Sequence, residues 1–89
     1  MTKQEEARVL EELLSSNGWG ILQRKMQDEI LTAAYQLADN KQLSVDEINF
    51  RRGAMWAARR MIELPTNMKM LIDNELLMEA ATEAELKKQ

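Results

Sequence analysis

A chain of 89 residues with a net charge of −3 has room for one small domain, and burial at that size is only marginally sufficient, so an oligomer or a partner is expected to complete it. It holds no cysteine and no histidine, which excludes a disulfide framework, the usual zinc ligands, the commonest general base and every Cys–His or Ser–His nucleophile. No apolar run approaches the roughly 20 residues that span a bilayer, and the acidic start, Met1 to Glu6, lacks the apolar core of a signal peptide.

The expected elements are all helices. Thr2 with Glu5 makes a capping box that opens the first, which carries Val9, Leu10, Leu13 and Leu14 on one side and ends at the turn cluster Ser15-Ser16-Asn17-Gly18. A second helix runs from about Trp19 to Ala38, and Asp39-Asn40-Lys41-Gln42 breaks it. Ser44 with Glu47 is another capping box and starts a third helix. Pro65 stops that helix at Leu64, because proline has no N–H for the ladder and disfavours helical geometry in the residue before it. A fourth helix from Thr66 or Asn67 carries Met70, Leu71, Leu77, Met78 and Ala81. The expectation is one small all-α domain over residues 1–89, with 82–89 thinning to charges and fraying.

Helices two and three, at about 19–38 and 45–64, both carry apolar residues at alternating spacings of three and four. On the second these are Trp19, Leu22, Met26, Ile30, Ala33 and Leu37; on the third, Phe50, Gly53/Ala54, Ala57, Met61 and Leu64. Folded back as an antiparallel hairpin, Trp19 meets Leu64, Leu22 meets Met61, Met26 meets Ala57, Ile30 meets Gly53 and Ala33 meets Phe50. Large side chains then face small ones, as interdigitated packing requires. The shorter first and fourth helices flank this hairpin.

The other side of the third helix presents Val45, Ile48, Met55 and Ile62 with Arg52, Trp56 and Arg59 interleaved. A helix that is apolar on two sides needs two sets of partners, supplied here by the flanking helices or by another subunit. All of these residues but Val45 form the candidate partner-binding set. They fall in and around Arg51–Arg60, which holds four arginines and no acid. Guanidinium forks pair with carboxylate or phosphate; internal acids such as Asp28, Glu29 and Glu63 could also answer them. The acidic overall charge favours internal acids or an acidic protein over nucleic acid. Trp19 is expected to plug the open end of the hairpin, and the seven methionines to fill gaps in a small core.

No catalytic arrangement emerges. Glu11 and Glu12, or Asp46 and Glu47, are sequence neighbours that point apart on a helix. The stretch Asp39–Gln42 lacks the glycine and terminal glutamate of a calcium loop, and Asn17-Gly18-Trp19-Gly20 lacks the Lys-Ser or Lys-Thr of a phosphate cradle. No enzyme, cofactor, metal or membrane contact is expected.

Three features, Gly18-Trp19-x-x-Leu22-Gln23 opening one helix, Arg52-Gly53 inside the next and Arg59-Arg60-Met61-Ile62-Glu63-Leu64-Pro65 closing it, cover about residues 17–70. In these the chain resembles small helical proteins that tailed bacteriophages encode in the head and portal assembly region. That resemblance implies a structural protein made in the host cytoplasm and then placed in the virion, bound to portal, neck or capsid in several copies. It carries no established functional residues. The alternative function is a small regulatory or nucleic-acid-binding helical protein that sets Arg51, Arg52, Arg59 and Arg60 on phosphate.

Overall fold

The computed structural model describes residues 1–88. Its architecture is all-helical, with three helices: α1 (Lys3–Leu14), α2 (Asn17–Asp39) and α3 (Val45–Lys87). Three hydroxyl side chains begin them. Thr2 Oγ1 accepts from the Glu5 N–H at 3.2 Å, Ser16 Oγ from Trp19 at 3.1 Å and Ser44 Oγ from Glu47 at 3.1 Å, each meeting one amide that the helix start leaves without a partner. Ser16 moves the start of α2 two residues ahead of Trp19. The first capping interaction and the third are those that Thr2 and Ser44 predict.

Pro65 does not end the third helix. α3 passes through it and runs for 43 residues, about 64 Å at the usual rise, which is nearly the full 68 Å length of the molecule. Residues 66–87, expected as a separate helix, continue the same one. Of the stretch 82–89 expected to fray, 82–87 are helical and Gln89 lies outside the described residues.

α1 and α2 lie end to end along this rod. Lys3 pairs with Glu75 and Glu79, and Glu11 with Lys69, so α1 runs antiparallel to the C-terminal half of α3. The short connection 40–44 turns α3 back along α2, which covers the N-terminal half. α1 and α2 barely touch each other. The result is a two-layer ribbon whose upper layer is broken at Ser15–Ser16.

A single stripe of α3 meets both upper helices. Ile48, Arg51, Met55, Ala58, Ile62, Pro65, Lys69, Ile72 and Leu76 recur at alternating spacings of three and four, and all are buried or half-buried. This 3.5-residue period is that of helices packed lengthwise. Ile62, at 5% exposure, and Ile72, at 9%, are the buried residues of the described chain. From α2 the half-buried Trp19, Met26, Ile30, Ala33 and Leu37 belong to the predicted stripe, whereas its sixth member, Leu22, is 53% exposed.

The predicted stripe of α3 is the one that fails. Phe50 is 73% exposed and Met61 67%, with Gly53, Ala54 and Ala57 also exposed. Ile30 shares both concavities beside the α2–α3 seam with Ile62, more than two turns beyond the expected Gly53. A Cβ built on Gly53 meets nothing within 4 Å, so this glycine allows no close approach. It only weakens the helix. Gly53→Ala is therefore expected to stabilise the chain by about 0.5–1 kcal/mol, read as a rise of several degrees in the thermal midpoint by circular dichroism.

Candidate interaction surface

With one stripe of α3 covered, a second remains in water. Phe50, Ala54, Ala57, Met61, Leu64, Met68, Leu71, Glu75 and Met78 also alternate spacings of four and three, and all but the half-buried Glu75 are exposed. This line shares its period with the covered one and runs nearly the whole length of the helix. Ala54, Met61, Leu64 and Met68 also form one wall of a groove of 740 Å³, whose other wall is Leu22, Met26, Ile30 and Ala33 of α2. Leu10, Trp19 and Pro65 line the same groove, which brings the break in the upper layer and the proline of the lower one together. Lys25 and Glu29 are the only charged residues lining it.

The scale of the exposure is large. The accessible surface is 7429 Å², against about 5,400 Å² for a compact monomer of this mass. The radius of gyration is 19.6 Å, against about 12 Å for a compact chain of this length. Contiguous apolar surface on this scale is uncommon on monomeric soluble proteins.

The six candidate partner-binding residues do not share one face. Ile48 and Met55 are half-buried and Ile62 is buried, in the stripe that α1 and α2 cover, whereas Arg52, Trp56 and Arg59 are exposed. Three of the four arginines have neighbours on their own helix. Arg51 Nε lies 2.9 Å from Glu47 Oε1, Arg59 reaches Glu63 at 4.0 Å, and the Arg60 guanidinium stands 5.5 Å from the centroid of the Trp56 ring, within cation–π range. Arg52 makes no ion pair among the described residues. Exposed pairs of this kind hold little stability, so their effect is to keep the guanidinium groups close to the helix.

Two lysines fasten α1 to α3. Lys69 lies 2.6 Å from Asp73 and 3.3 Å from Glu11; the hydrogen bond to Asp73, then that to Glu11, holds its pKa above the ordinary lysine value of 10.5. Lys3 is raised in the same direction, first by its hydrogen bond to Glu79 and further by Glu75. Sequence reading missed both clamps, because Lys3 and Glu79 stand 76 residues apart and only the continuous α3 brings them together.

Among the described residues no group of three or more His, Cys, Asp or Glu could hold a metal ion, and no helix is long and apolar enough to cross a membrane. No family model, curated protein or solved structure matches the chain.

Proposed function

We propose that this chain is a structural interaction protein that works by laying the open apolar face of α3 against another helical surface. The observation that carries this is the exposed apolar line from Phe50 to Leu71, resumed at Met78 beyond Glu75 and set beside a groove almost free of charge. A chain whose described residues include two buried side chains gains little from its own interior, and covering this line removes a long apolar surface from water. The resemblance over residues 17–70 supports a narrower form of the proposal, in which the chain is a component of a tailed-phage head and its partners are portal, neck or capsid proteins. The acidic overall charge of −3 favours protein over nucleic acid as the partner.

The chain is expected to co-sediment with purified portal, neck or capsid assemblies, and the double variant Met61→Glu, Leu71→Glu to lose that binding. Both positions are exposed, at 67% and 60%, so far-UV circular dichroism should still report a helical chain. Binding retained by the double variant would move the interface off this face of α3.

A further inference from the structure

We infer that the occupant of the open face is a second copy of this chain, with the two α3 helices antiparallel and Thr66 at the level of the two-fold axis. This inference rests on reading the face as an interface; it adds what covers it and in what register.

Three observations point to a second copy. The excess surface of about 2,000 Å² per chain, doubled for two copies, lies in the range buried by obligate homodimers. The exposed stripe is also close to self-complementary when reversed. Turning one α3 end for end about the level of Thr66 overlays Val45 on Lys87, so the two helices overlap along their full printed length. In that register Leu64 meets the partner's Met68, Met61 meets the partner's Leu71, and Ala54 meets the partner's Met78, placing large side chains on small or flexible ones. The same register sets Glu75 beside the partner's small Ala57 and Phe50 beside the partner's Thr82, whereas sliding by one heptad toward the N-terminus would press Phe50 against Glu75 and Met78 against Glu47.

Charge selects the same direction. The N-terminal half of α3, with Arg51, Arg52, Arg59 and Arg60 against Asp46, Glu47 and Glu63, is net +1, and the C-terminal half, with Asp73, Glu75, Glu79, Glu83 and Glu85 against Lys69 and Lys87, is net −3. Antiparallel pairing brings each arginine segment to the level of the partner's acidic half. Parallel pairing would set arginines beside arginines and acids beside acids, which costs free energy. Each α3 would then lie in the groove between the partner's own two layers. With α1 and α2 counting as one broken helix per chain, the dimer is an antiparallel four-helix bundle, closed by an isologous interface.

The absence of cysteine allows one spin label per chain without background. Labels are placed singly on the exposed residues Asn49, Thr66 and Ala80, and distances between copies are measured by pulsed electron resonance on the full chain after sedimentation equilibrium. A dimer is expected. The Thr66 label should give the shortest distance, and those at Ala80 and Asn49 should be separated along the axis by about 42 and about 51 Å, since each residue of offset counts twice at 1.5 Å. Similar short distances at all three sites would mean parallel pairing and overturn the inference. So would a minimum elsewhere, a trimer or larger ring, or a monomer at tens of micromolar. Leu64→Glu should convert the dimer to monomer at that concentration, whereas Trp56→Glu, off the stripe, should leave it dimeric. A monomer that still binds a head protein through Met61 and Leu71 would overturn only the second copy and leave the interface reading standing.

Discussion

Ile62→Ala is expected to cost about 2–5 kcal/mol, the range for deleting a buried isoleucine side chain down to its β-carbon, and to leave the chain largely unfolded at 25 °C. Ile62 is 5% exposed and borders the concavities on both sides of the α2–α3 seam, so no neighbour is placed to close over the gap. Few other contacts share the load, because Ile72 is the only other buried residue described. Leu77→Ala is the comparison. At 69% exposure, and on neither stripe, it should stay within about 0.5 kcal/mol of the parent. Urea titrations followed by circular dichroism at one fixed protein concentration make the comparison, since association alone raises apparent stability. Equal losses from the two variants would mean that the Ile62 stripe is not the seam.

What could be read from the residues was the helical character, two of the caps and the stripe on α2. Thr2 and Ser44 act within three residues of their own position, and the α2 stripe repeats without interruption from Trp19 to Leu37 at spacings of three and four. The seam on α3 was not legible, and the reason is physical. α3 has two stripes with the same 3.5-residue period, and periodicity shows that a face is apolar without showing which partner it meets.

Truncating the helix at Pro65 made the choice worse. Over residues 45–64 the Phe50 stripe is uninterrupted, while its competitor contains Arg51. Beyond Pro65 the competitor continues through Ile72 and Leu76, and α1 lies on it. Lys69 also sits in that stripe, where a charge reads as solvent-facing, yet Glu11 and Asp73 hold it there. A lysine with two carboxylate partners can occupy a half-buried position that an unpaired one would avoid. The candidate set Ile48, Arg52, Met55, Trp56, Arg59 and Ile62 mixed a covered face with an exposed one for the same reason.

Pro65→Ala is expected to stabilise the chain by about 1–2 kcal/mol. Proline in a helix interior costs about 3 kcal/mol relative to alanine, because it has no N–H to give the carbonyl four residues back, here that of Met61, and its ring crowds that carbonyl. Two terms oppose the gain. The ring is half-buried and lines the groove with Trp19, and losing two methylenes that are only partly out of water gives up about 1 kcal/mol. The unfolded chain also becomes freer, which takes back a few tenths to 1 kcal/mol. The proline persists against its cost because the helix on each side is held separately, by α2 toward the N-terminus and by α1 toward the C-terminus. A thermal midpoint higher by several degrees, with unchanged small-angle scattering dimensions, is the result that a continuous α3 requires. If the chain instead broke at Pro65 into two helices, the alanine variant would lengthen measurably relative to the parent, and that outcome would restore the stop first read at this residue.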